Sequence, residues 1–68
     1  MITLEVRDMT CGHCAATITK ALKQLDPQAR VEIDLGAHRV RVESAESAED
    51  VAAAIREEGY TPVVASAA

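Results

Sequence analysis

The stretch ITLEVRDMTCGHCAATITKALKQL, residues 2–25, changes its apolar period partway along, and that change decides how the chain folds. In its first part Ile2, Leu4 and Val6 alternate with Thr3, Glu5 and Arg7, the period-two pattern of a half-buried strand. From Cys14 onward the apolar positions are Cys14, Ile18, Ala21, Leu22 and Leu25, spaced as one face of a helix, with Thr17, Lys20, Lys23 and Gln24 on the other. Asp26-Pro27 predicts the end of that helix, because proline disfavours helical backbone in the residue before it. Between strand and helix lies Met9-Thr10-Cys11-Gly12-His13-Cys14, which holds the only two cysteines of the chain.

The rest of the chain continues the alternation. Val31, Ile33 and Leu35 alternate with Glu32 and Asp34 as a second strand, Gly36-Ala37-His38 signals a short turn, and Val40 and Val42 between Arg39, Arg41 and Glu43 make a third, so that the two form a hairpin. Ser47 followed by Asp50 resembles a capping box, and Val51, Ala54, Ile55 and Glu58 restore helical spacing up to a stop at Gly59. Thr61 to Ala65 reads as a fourth strand, and Ser66-Ala67-Ala68 as a frayed end. The order β-α-β-β-α-β predicts an α+β fold, the ferredoxin-like sandwich: a four-stranded antiparallel sheet with two helices on one face, spanning 1–68 as a single domain. That connectivity puts Cys11, Cys14, His38 and Tyr60 at one end of the sheet.

Composition narrows the function classes. At 49% hydrophobic and 26% charged, the chain has the make-up of a globular domain and not of a disordered tail. Tyr60 is the only aromatic residue, so the core must be built from Val, Ile, Leu and Ala. A formal net charge of -4 argues against nucleic acid and against an anionic membrane surface as partners. Glu43, Glu46, Glu49, Asp50, Glu57 and Glu58 read as a solvated face, with a docking surface for a basic partner as their functional alternative. No apolar run approaches the ~20 residues of a bilayer span, and no signal-like segment opens the chain, so no membrane insertion and a cytoplasmic location are expected. In a reducing compartment a lone Cys-x-x-Cys reads as a metal or redox site, not as a structural disulfide.

Three chemistries compete for the pair. A helix N-terminus favours thiolate over thiol, and thiolates both attack disulfides and bind soft metals. Disulfide exchange is disfavoured by a chain shorter than a thioredoxin-like domain, without tryptophan, and with only one βαβ unit before the hairpin. A structural zinc site needs four ligands, whereas His13 and His38 are 25 positions apart. His38 is expected on the order of 10 Å from the first strand, two strand spacings away. Two thiolates without further strong ligands suit Cu(I), with Ag(I) and Hg(II) as chemical substitutes. An exposed two-coordinate ion can accept a thiolate from a partner while one of its own ligands leaves, which describes a carrier.

The motif Met9-Thr10-Cys11-Gly12-His13-Cys14, in its strand-to-helix context and with Glu58-Gly59-Tyr60 before the last strand, resembles the heavy-metal-associated domain family, and most of all its stand-alone bacterial copper chaperones. The resemblance covers nearly the whole chain. It implies Cys11 and Cys14 as Cu(I) ligands, Met9 packed beneath the loop, and Tyr60 beside the metal, where it shields the site or turns its hydroxyl toward a thiolate. Relatives preferring zinc or cadmium often carry an acidic residue just before the first cysteine; Thr10 stands there in this chain. Asp8 replaces the usual glycine before the methionine, and Pro27-Gln28-Ala29-Arg30-Val31 replaces a common Gly-Val start to the second strand.

The neighbouring residues have two readings each. His13 is a solvent-facing loop residue, or else a third ligand bridging a metal-linked dimer of an otherwise monomeric protein. Met9 is core or a thioether donor. Thr10 is expected to cap the first helix through its hydroxyl. Lys20 and Lys23 serve solubility or docking to an acidic partner, and His38 is a turn residue. The chain is therefore expected to be a non-enzymatic, cytoplasmic Cu(I) chaperone passing its ion to a partner with a similar cysteine pair, such as the metal-binding domain of a copper-transporting P-type ATPase. Mercury or silver binding is the alternative, and thiol–disulfide oxidoreduction comes third.

Overall fold

Strands β1 (Ile2–Val6), β2 (Arg30–Asp34), β3 (Arg39–Glu43) and β4 (Pro62–Ala67) form one sheet in the order β2-β3-β1-β4, and helices α1 (Gly12–Leu25) and α2 (Ala48–Glu57) make the two crossovers. The computed structural model describes residues 1–67. Every neighbouring strand pair is antiparallel, with Leu4 opposite Val40 on one side and Val64 on the other. This is the expected ferredoxin-like arrangement: β3 lies between the strands that α1 connects, and β1 between those that α2 connects.

The strand alternation fixes which face is covered. Ile2, Leu4 and Val6 of β1 and Val40 and Val42 of β3 are buried, and onto them pack Ile18 and Leu22 of α1 and Val51, Ala52 and Ile55 of α2. The inner residues of edge strand β2, Val31 and Ile33, stay half-buried because only one side of the strand has a neighbour. Ser47 caps α2 as its sequence suggests, its hydroxyl accepting from the Asp50 backbone N–H at 3.1 Å. Gly59 follows the helix at φ 93, the left-handed conformation that favours glycine.

Several boundaries differ from the sequence reading. Helix α1 begins at Gly12 rather than Cys14, with extended Cys11 as its N-cap. Leu35 lies in the turn after β2, because Asp34 pairs with Arg39 and closes the ladder one residue earlier. Strand β4 runs on to Ala67 through a register shift opposite Thr3 and Leu4, so Ser66 and Ala67 are paired with Thr3 and Ile2 and not frayed. Ala68, also assigned to the frayed end, lies outside the described residues.

At the far end of α1, Asp26 accounts for the unusual Pro27–Val31 start of β2. Its carboxylate accepts from the Gln28 N–H at 3.0 Å and the Ser44 hydroxyl at 2.6 Å, which tie the helix end to the loop before α2 and hold the Asp26 carboxyl below its usual value. Lys23 belongs to the same junction: its ammonium donates to the Ala29 carbonyl.

Candidate metal centre

After Val6 the chain turns at once, the Met9 N–H donating back to the Val6 carbonyl at 3.2 Å. Met9 is 0% exposed and belongs to the core, so its side chain points under the loop and its thioether is not presented to the surface. Thr10 and Cys11 then climb over it in the open. Cys11 takes the N-cap position with φ -148 and ψ 166, its carbonyl accepting the first helical bond from Ala15 at 3.2 Å. Three residues later, in the first turn, Cys14 is half-buried against the core.

This placement brings the sulfurs together at a Sγ–Sγ separation of 3.0 Å, a thiol hydrogen bond well beyond the ~2.05 Å of a disulfide. The pair is asymmetric: Cys11 is exposed, and Cys14 is seated. The Cys14 thiol is drawn down from its usual 9.0 to about 6. The largest cause is a hydrogen bond from the Tyr60 hydroxyl, followed by the Cys11 thiol and the Thr10 backbone N–H, which together outweigh partial burial. The phenol responds in the opposite sense and is pushed up to about 12: the hydrogen bond to Cys14 and partial burial favour its protonated form, and the charge of the Cys14 and Cys11 sulfurs adds to that. The helix terminus helps by omission, since the first turn of α1 carries no acidic residue.

Cys11, Cys14 and Tyr60 thus converge at one end of the molecule. His13, between the cysteines, is exposed, and its carbonyl accepts the Thr17 hydroxyl at 3.0 Å. Thr10 does not cap α1: Cys11 occupies the N-cap, and no side chain makes a cap bond there. The hydroxyl of Thr10 therefore lies one residue too early for that role, while its backbone N–H serves the Cys14 sulfur. Among the described residues no group of three or more His, Cys, Asp or Glu side chains could hold a metal ion.

Two further residues shape the loop. His38 lies beside β1 and not two strands away, because β3 is the direct neighbour of β1. Its carbonyl accepts the Val6 N–H at 2.7 Å, and its ring Nδ1 is 3.0 Å from the Met9 carbonyl oxygen. Asp8 accepts the Thr61 N–H at 3.1 Å and so joins the cysteine loop to the segment carrying Tyr60. Neither contact has a local sequence signal. Only the topological expectation that these loops share one end of the sheet pointed toward them.

Such a site can form a disulfide or place two sulfur anions on one soft cation, and comparison with known proteins bears on the choice. The family model described as "Heavy-metal-associated domain" matches residues 3–61. A copper chaperone, CopZ of Bacillus subtilis, is 34% identical over 61 residues, covering 85% of this chain and 88% of that protein. Among solved structures, one described as a gold binding protein superposes with a TM-score of 0.91 at 39% identity, covering 94% of this chain and 98% of the other. The copper chaperone Atx1 from Synechocystis superposes with a TM-score of 0.91 at 36% identity, covering 93% of this chain and 100% of its own.

Proposed function

Since the chain belongs to the heavy-metal-associated domain family, we propose that it carries Cu(I) between Cys11 and Cys14 and hands it to partner proteins by thiolate exchange. It is a metal-trafficking protein and not an enzyme. The observation that carries the proposal is the arrangement of the two sulfurs, 3.0 Å apart at an exposed tip; the hydrogen bonds that lower Cys14 to about 6 favour its thiolate near neutral pH.

Thiolates are soft donors, and Cu(I) accepts the low coordination that two of them supply. The seated Cys14 thiolate engages the ion first, and Cys11 closes on it with loss of its proton. The open side then receives a thiolate from the acceptor; Cys11, exposed and at the start of the helix, is the ligand free to be replaced. The metal moves from sulfur to sulfur without becoming a hydrated ion. The acceptor is a protein with a similar Cys-x-x-Cys pair, such as the metal-binding domain of a copper-transporting P-type ATPase, and the carrier works in the cytoplasm. No helix among the described residues is long and apolar enough to cross a membrane. Ag(I) and Hg(II) occupy the same pair as substitutes, and the gold binding protein among the structural relatives fits that preference for soft cations.

The test is an anaerobic Cu(I) titration of reduced protein against a competing chelator. The wild type is expected to take one equivalent, and Cys11→Ser or Cys14→Ser to lose it. Full retention by either variant would refute the dithiolate carrier. Catalytic reduction of insulin disulfides would replace it with the redox reading.

A further inference from the structure

The contact that the metal-carrying reading leaves unexplained is the one between His38 and the backbone of Met9. His38 is the only residue other than glycine with positive φ among the described residues, at 53. L side chains rarely adopt that conformation, and it persists where surrounding contacts hold it. Gly36, two positions earlier in the same turn, would take it more easily, yet glycine at positive φ occurs at Gly59. Three hydrogen bonds hold His38 there: its N–H donates to the Leu35 carbonyl at 3.2 Å, its carbonyl accepts from Val6 at 2.7 Å, and its ring meets the Met9 carbonyl at 3.0 Å.

A carbonyl oxygen only accepts, so Nδ1 is the protonated ring nitrogen. The bond it makes falls on one particular peptide unit. The Met9 carbonyl and the Thr10 N–H belong to the same planar trans amide, so they point in opposite directions. The ring grips the oxygen end; the hydrogen end faces the Cys14 sulfur. Met9 cannot swivel to release the unit, because its side chain is fully buried and its own N–H is tied to Val6.

We propose that His38 is a positioning residue of the metal loop, which holds the Met9–Thr10 peptide at its oxygen and so aims the Thr10 N–H at the Cys14 sulfur. The proposal rests on the carrier reading for its purpose, not for its geometry. A hydrogen bond at one end of an amide also polarises the other, which strengthens the donor that faces the sulfur.

His38→Gly and His38→Asn both tolerate the left-handed backbone and both remove the ring. Residue-resolved amide exchange by NMR on the reduced, metal-free proteins is expected to show Thr10 exchanging on the order of fivefold faster in both variants, with Leu4 and Val40 unchanged. Cu(I) release to a chelator is expected to speed up in the same variants. Unchanged Thr10 exchange in both variants would overturn the proposal, as would uniform acceleration across the sheet, which would make His38 a residue of general stability. Because exchange is read without metal, accelerated Thr10 exchange supports the role of His38 even if the wild type fails to bind Cu(I), a failure that would strike the carrier reading alone.

Discussion

Replacing Tyr60 by phenylalanine keeps the ring that packs against the core and removes only the hydroxyl that heads the causes of Cys14 ionisation. With the thiol at about 6, Cys14 at pH 7 holds about ten thiolates for every thiol; at the usual 9.0 the ratio would be about one to a hundred. The site therefore gains about a thousandfold in thiolate-to-thiol ratio, shared among Tyr60, Cys11 and the backbone donors. Losing the leading donor is expected to reduce the ratio about tenfold, leaving Cys14 about half ionised at pH 7. The Cβ chemical shift of labelled Cys14, followed against pH under reducing conditions, reads this sulfur separately from Cys11. A reciprocal change is expected in Cys14→Ser, where the Tyr60 phenol should fall from about 12 toward its usual 10.0. An unchanged Cys14 midpoint in Tyr60→Phe, with Tyr60 also unmoved in Cys14→Ser, would refute the claim that the phenol sets the ionisation of the site.

Other expectations concern stability. Cys14 is an acid whose folded value lies below its unfolded one, so the unfolded chain binds the extra proton between pH 6 and 9. Its contribution is fully present above about 9 and is lost as pH falls through about 6; urea midpoints of the reduced protein should rise across that window, and the rise should flatten in Cys14→Ser. Ser47→Ala removes the acceptor of the Asp50 N–H and should cost about 1 kcal/mol in urea unfolding. Leu4→Ala in the fully buried centre of the sheet should cost about 2–5 kcal/mol, a large part of the stability of a chain this short, and show as a much lower urea midpoint. Gly59→Ala has open space for its methyl group but must keep φ 93, so calorimetry should register a purely backbone cost of about 1–2 kcal/mol.

The fold could be read from the sequence because its strands alternate cleanly and its helices carry strong stop signals: Asp26-Pro27 and Gly59 end them as expected, and the burial of Ile2, Leu4, Val6, Val40 and Val42 follows their parity. The ends of elements were less readable where pairing decides them. Strand β4 is extended by its partner β1, which no residue of Ala65-Ser66-Ala67 announces. The cysteine pair was evident from spacing, but the chief source of its ionisation was not. Helix position suggested a thiolate, and the family resemblance set Tyr60 beside it as one of two roles; the structure puts the Tyr60 hydroxyl first among the causes, a contact between residues 46 positions apart that no local pattern reveals. His38 was hidden for a similar reason. A strand-distance argument that ignored the insertion of β3 beside β1 set it too far from the loop, and its hold on a backbone oxygen leaves no pattern in side-chain types.

Copper X-ray absorption on the stoichiometrically loaded, reduced protein bears most directly on the central claim that two sulfurs alone hold the ion. A first shell of two sulfur scatterers, lost in Cys11→Ser and in Cys14→Ser, is the predicted result. A shell that includes imidazole nitrogen from His13, or one that persists without Cys14, would contradict the account.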